Sequence, residues 1–280
     1  SDWNALDYGR DFDFNRGFFE QYADLQKVVP REGTSVFNSE NCDYNSHIRE
    51  SRNCYLNSLV YCCEDIDYCY WMGNSKNSMD CYFLIDSERC YWCIDVFKSY
   101  NCAVLQEASN CSECYFSFQL RGCNNCLFCS NMANKSYYIF NKSVTKEEFE
   151  KTKKQIFDGS YENFWQAYKK FEELKKNTVH RFVHNLNCEN VVGDHVTNCR
   201  NSFDVFEGYD SEDVYHSISF ADSRDIFSCY SAGWAGCNQV FSSVVTRGST
   251  NIAFCVYTFY SSNLRYCDSS NRLDNCFGCI

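Results

Sequence analysis

The chain has 280 residues, 45% of them hydrophobic and 18% aromatic, enough for a large core and too apolar for a disordered chain. Its net charge of −11 argues against a nucleic-acid-binding surface; residues 142–181 alone carry ten basic against seven acidic side chains, leaving −14 on the rest. No stretch of about 18 apolar residues is present, so no membrane span is expected. There is one proline, Pro30, so Asn, Ser and Asp must make the turns. Cysteine is abundant, 22 residues, as in disulfide scaffolds, but this chain is not short and shows no signal peptide at its start. It opens on Ser1-Asp2-Trp3, which sets the expectation of an upstream segment.

Residues 1–36 read as an N-terminal capping segment. From 37 to 142 a motif Ser-x-Asn-(Cys/Ile/Val)-x-x-Cys recurs. Its fourth position falls at Cys42, Cys54, Ile66, Ser78, Cys90, Cys102, Cys111 and Cys123, in steps of 12 with one step of 9. Asn or Asp precedes it (Asn41, Asn53, Asp65, Asn77, Asn101, Asn110), and a serine often sits three residues before it (Ser39, Ser51, Ser75, Ser87, Ser99). Cysteine often follows three residues later, at Cys69, Cys81, Cys93, Cys114 and Cys126. Such columns predict a parallel β-solenoid: the anchor column points inward, and the Asn column suits left-handed turns and stacked amide ladders. A 12-residue coil has little interior for so many Phe, Tyr and Trp, so two repeats per coil are expected, with the 9-residue step shortening one coil.

Residues 143–178 switch to helical period. Thr145-Lys146-Glu147-Glu148 reads as a capping box, Phe149, Ile156 and Phe157 line one face, and Asp158-Gly159-Ser160 breaks the helix. Tyr161, Phe164, Trp165, Tyr168 and Phe171 form the stripe of a second helix. A helical hairpin packing on the solenoid is expected, or a pair of helices that docks a partner. Residues 179–280 resume the repeat, with anchors at Cys188, Cys199, Val214, Ile226, Val240, Ile252, Leu264 and Cys276 and a 14-residue step between Ile226 and Val240. Asn275-Cys276-Phe277-Gly278-Cys279 matches Asn125-Cys126-Leu127-Phe128-Cys129, so this section is expected to continue beyond Ile280.

The Ser-x-Asn repeats resemble those of right-handed parallel β-helices of the pectate-lyase-like, carbohydrate-binding and sugar-hydrolase class. Residues 3–14 (Trp3-Asn4-Ala5-Leu6-Asp7-Tyr8 onward) and Tyr137-Tyr138-Ile139-Phe140-Asn141-Lys142 resemble a group of uncharacterised bacterial cysteine-rich repeat proteins in which the repeats follow zinc ribbons. The ribbons are absent from this sequence, and the resemblance implies no activity.

The cysteines admit several readings. Substitution by Ile, Val, Leu and Ser in the same columns favours a ladder of small buried thiols. A zinc or iron–sulfur site is the alternative: Cys90/Cys93 and Cys111/Cys114 form two C-x-x-C pairs, and Cys123, Cys126 and Cys129 a longer run. That reading needs a turn between residues n and n+3, which otherwise face opposite sides of a strand. His184-x3-Cys188 and His195-x3-Cys199 resemble a further zinc-ligand set. Disulfides are the third reading, and free thiols would point to the cytoplasm. Asp65, Asp67, Asp86, Asp95, Asp210, Asp213, Asp222 and Asp225 are candidates for sugar-hydrolase carboxylates, though Asp is also expected at turns. No phosphate loop or serine-nucleophile elbow occurs. The leading functional reading is a non-enzymatic scaffold that meets a protein partner, or a second copy of itself, through an acidic, aromatic face. A sulfur-ligated metal protein is the alternative and a carbohydrate-active β-helix the second.

Overall fold

The structure, a computed structural model, describes residues 4–30, 33–221, 223–224, 230–232, 237–238, 244–247, 250, 253, 256–259, 261–268 and 272–280. It is mainly β, a parallel β-solenoid with a helical hairpin. Two compact units are present, 32–180 and a second made of 1–31 with 181–280.

In the first unit the backbone obeys a three-residue rule. From Asn38 to Asn134 every third residue has positive φ, Gly122 included. Each such corner turns the chain, and the residue after it points inward. The buried positions are accordingly Asn45, Ile48, Ser51, Cys54, Asn57, Val60, Cys63, Ile66 and onward in threes. Asn and Asp tolerate the left-handed conformation, which explains the Asn column. Those amides also stack as expected: Asn41 Nδ2 donates to Asn53 Oδ1 at 3.2 Å, and Asn53 Nδ2 to Asp65 Oδ1 at 2.9 Å.

Four corners make a coil of 12 residues, not of two repeats. Parallel pairing joins Cys42 to Cys54, Cys54 to Ile66 and Cys114 to Cys126. The expectation of two repeats per coil failed because it placed the aromatics inside. They stand outside instead, in ladders such as Phe116, Phe128 and Phe140, with ring centroids 5.5 and 4.8 Å apart. No coil is shortened at the 9-residue step, since Tyr100 pairs with Ser112 and Ala103 with Tyr115. Cys111 merely belongs to the corner before that of Cys114.

Four inward columns therefore fill the core. One is aliphatic throughout: Ile48, Val60, Met72, Leu84, Val96, Ala108, Leu120 and the partly buried Met132. The others, Ile66 and Leu105 apart, hold Ser, Cys and Asn for a hydrogen-bonding reason. Ser99 N–H donates to Ser87 Oγ at 3.2 Å and Cys111 N–H to Ser99 Oγ at 3.2 Å, while Ser75 N–H donates to Cys63 Sγ at 3.4 Å. The same hydroxyls and thiols donate back to the carbonyl two residues earlier, as Ser87 to Ile85 (3.0 Å) and Cys63 to Tyr61 (3.1 Å). A short side chain that both accepts and donates satisfies backbone groups that burial would otherwise strand.

Helices α2 (Lys146–Ile156) and α3 (Tyr161–Asn177) form the expected hairpin, capped by Thr145 and Ser160. Phe149 and Phe171 pack on Phe116, Phe118, Leu127 and Phe128 of the solenoid. Tyr161 departs from the expected stripe and is exposed.

The second unit keeps the rule. Val196, Cys199, Ser202, Val205, Ser211, Val214, Ser217 and Phe220 are buried in threes. Gly208 takes the position between Val196 and Phe220; a Cβ there would stand 2.0 Å from the Phe220 ring. Tyr230 pairs with Val244, reproducing the 14-residue step. Among the expected inward anchors Ile66, Cys90, Val214 and Leu264 are buried, whereas Ile226 and Ile252 lie outside the described residues. The two matching pentapeptides share a backbone, with positive φ at Asn125 and Phe128 and at Asn275 and Gly278. Helix α1 (Phe18–Val28) rests on the last coils, the Phe18 ring 4.8 Å from Phe277 and 5.0 Å from Tyr266.

Candidate functional site

The corner between residues n and n+3 removes the objection to the C-x-x-C pairs, because both sulfurs face inward. Cys90 and Cys93 occupy adjacent corners of one coil, and Cys102 stacks on Cys90. Cys111 and Cys114 lie one coil further on, so roughly 10 Å of stacking separates the two pairs. Cys111 and Cys114 instead adjoin Cys123, Cys126 and Cys129: Cys114 shares hydrogen bonds with Cys111 and Cys126, and Cys126 with Cys123 and Cys129.

Among the described residues no Lys or Arg is buried in this interior, and burial and thiol–thiol hydrogen bonds govern the thiols. Burial pushes Cys54 up to about 12 and Cys63 to about 11, and holds Cys93 and Cys102 well above the ordinary range. Thiols donated by Cys114 and Cys129 lower Cys126, and those of Cys69 and Cys93 lower Cys81. Cys199 is buried and Cys188 packs against the same core. The expected His/Cys set is therefore split: His184 and His195 stand away from these sulfurs, next to Asp194.

The candidate carboxylates act as corners. Asp65, Asp86, Asp95, Asp210 and Asp213 all have positive φ, and Asp65, Asp86 and Asp210 accept from Asn53, Asn74 and Asn198. Asp65, Asp86 and Asp95 fall on three different corners of the coil, and Asp67 ends the strand Glu64–Asp67. Asp222 and Asp225 lie outside the described residues.

An open cleft of about 590 Å³ lies where the hairpin meets the solenoid. Tyr68, Tyr70, Asp80, Cys81, Tyr82, Tyr91, Trp92 and Ile94 line it from the coils, and Trp165 from α3. Corner geometry aims Tyr68, Asp80 and Trp92 outward from equivalent positions of three successive coils. Trp92 is held by Tyr168, stacked at 4.7 Å and 6°, and Trp165 meets it edge-on at 5.7 Å. Tyr70 and Tyr82, one coil apart, stack at 5.3 Å. Asp80 is the one charged side chain of the lining, and burial raises its carboxyl above the usual range. Among the described residues no Lys, Arg or His forms an ion pair with it. Sequence reading missed this cleft, although Tyr70 and Tyr82 stand one 12-residue repeat apart and Tyr68 and Trp92 two repeats apart; the hairpin that supplies Trp165 lies far off in sequence.

No family model and no curated protein matches the chain. Among solved structures, the crystal structure of the polySia specific acetyltransferase NeuO aligns over 79% of this chain and 76% of that chain, at 10% identity and a TM-score of 0.10. A likeness at that score carries no argument about fold or activity. Among the described residues, no helix is long and apolar enough to cross a membrane.

Proposed function

We propose that the protein is a non-enzymatic binding scaffold whose aromatic cleft takes a basic side chain of a protein partner. One observation carries this reading: an exposed carboxylate, Asp80, with no basic partner among the described residues, stands among four tyrosines and two tryptophans. Aromatic faces attract a cation with about 0.5–2 kcal/mol each, more as water is excluded, and a carboxylate completes such a cage. The cleft volume is within the usual range for a bound side chain or small ligand. The cysteines serve the fold in this reading, since Ser and Cys interchange in hydrogen-bonding columns; reduced thiols fit a cytoplasmic setting. The resemblance to uncharacterised cysteine-rich repeat proteins agrees with a scaffold and adds no chemistry.

Tryptophan fluorescence tests this on the full chain. N-acetyl-lysine methylamide, its trimethylated form and a neutral norleucine amide are titrated against wild type, Asp80→Asn and Trp92→Ala. Saturable binding of the cations, lost in both variants and absent for the neutral amide, is expected. A response to a neutral oligosaccharide alone would replace this reading with carbohydrate recognition, and no response to any probe would overturn it.

A further inference from the structure

Away from the cleft, in the second unit, the chain brings two imidazoles and a carboxylate together. His184 and His195 have ring centroids 4.6 Å apart at 23°, and Asp194 lies beside both. One donor atom from each of the three falls within 4.8 Å of the others, which among the described residues holds for this set of His, Cys, Asp and Glu side chains alone. All three remain open to water, with side-chain exposures of 22%, 31% and 43% for His184, Asp194 and His195.

The surrounding backbone fixes this arrangement. The strand Glu189–Thr197 shifts register between Val192 and Gly193, a bulge of the kind that re-aims the side chains after it. Only glycine fits there: a Cβ on Gly193 would stand 1.9 Å from the Val205 carbonyl oxygen. His195 follows at a corner with φ +57°, which projects its ring outward. Asn185 ties the segment carrying His184 to this strand, donating to the Gly193 carbonyl (3.0 Å) and accepting from Val196 N–H (3.2 Å). Asp194 Oδ1 accepts the backbone N–H groups of His184 and His195, and the carboxylate faces the rings, its Oδ1 and Oδ2 3.3 and 3.4 Å from His184 Nδ1 and its Oδ2 4.0 Å from His195 Nε2.

We propose that His184, Asp194 and His195 form a binding site for a borderline divalent cation of the zinc class. Two neutral imidazoles and one carboxylate suit such an ion, and three protein ligands leave positions for water. The site differs from the zinc set suggested by the His-x3-Cys spacings, since Cys199 is sealed in the core and Asp194 supplies the anionic ligand. It is independent of the aromatic cleft.

Metal-free full-length protein is titrated with zinc by calorimetry and with cobalt by optical and paramagnetic NMR spectroscopy. One equivalent of each is expected. The cobalt form should show hyperfine-shifted imidazole N–H signals from two histidines and no thiolate-to-cobalt charge-transfer band. His195→Ala, at an exposed corner, should weaken zinc binding by at least about tenfold while the fold, followed by circular dichroism, stays intact. Absence of stoichiometric binding to the wild-type protein would overturn the proposal whatever the variants do. So would a thiolate band in the cobalt spectrum, or zinc affinity that survives both His184→Ala and His195→Ala.

Discussion

The same outward face of the first solenoid is built in two ways. Under the hairpin its corner residues are Val104, Phe116 and Phe128, all buried; in the earlier coils the equivalent corners are Tyr44, Leu56 and Tyr68, with 75%, 46% and 52% of their surface exposed. Backbone and coil length do not change between the two regions. What changes is the side chain: purely apolar where helices cover it, mostly hydroxyl-bearing where water reaches it. The outward columns thus record what lies on them, and the inward columns do not. The cleft falls at the boundary, where Trp92 is half under α3 and Tyr68 and Tyr82 are open.

The largest effect should come from the covered region. Phe116→Ala removes a fully buried ring from the seam between solenoid and hairpin and should cost about 3–5 kcal/mol in urea unfolding. Its counterpart Tyr68→Ala should stay within about 0.5 kcal/mol. Equal effects would erase the distinction between the two regions.

A collective effect follows from the thiols, which line both regions. Burial raises the folded pKa of several of them, to about 11 for Cys63 and about 12 for Cys54 against an ordinary 9.0, whereas hydrogen bonds from neighbouring thiols lower Cys81, Cys111 and Cys126. For the raised thiols the unfolded chain loses protons first, so their contribution is intact below about pH 9 and is lost as pH climbs through about 9 to 12. Unfolding midpoints measured from pH 7 to 11 under reducing conditions check this; a flat profile above pH 9 would contradict the buried-thiol core.

Smaller effects should sort the columns by hydrogen bonding. Ser87→Val leaves the buried Ser99 N–H without its acceptor and should cost about 1–3 kcal/mol, while Ser87→Cys should be nearly neutral. Cys90→Val should cost only about 1 kcal/mol, because its column already admits Ile66.

Much of this architecture was legible in the sequence. The Ser, Asn and Cys columns fixed the solenoid because each has a local cause: a left-handed corner at Asn53, a reciprocal hydrogen bond at Ser87. Thr145 and Ser160 marked the helices through their caps. Coil length was misread, because a 12-residue spacing fits one or two repeats per coil equally well, and only the assumption that aromatics go inside chose between them. In three-residue units the aromatics at 71 and 83 must point outward, since the inward positions there are Met72 and Leu84. The cleft was illegible for a different reason: Trp165 reaches Trp92 through hairpin packing that no local pattern encodes. Asp194 was overlooked because the His-x3-Cys spacing drew attention to Cys188 and Cys199, whereas the bulge at Gly193 governs where the side chains after it point.

The binding reading is tested most directly by following the aromatic side-chain resonances of the whole protein by NMR as trimethyllysine methylamide is added. Saturable shifts confined to Tyr68, Tyr70, Tyr82, Tyr91, Trp92 and Trp165 are predicted, with Tyr44 and Phe128 unmoved. Shifts spread along the open face without saturation, or none at the cleft, would contradict it.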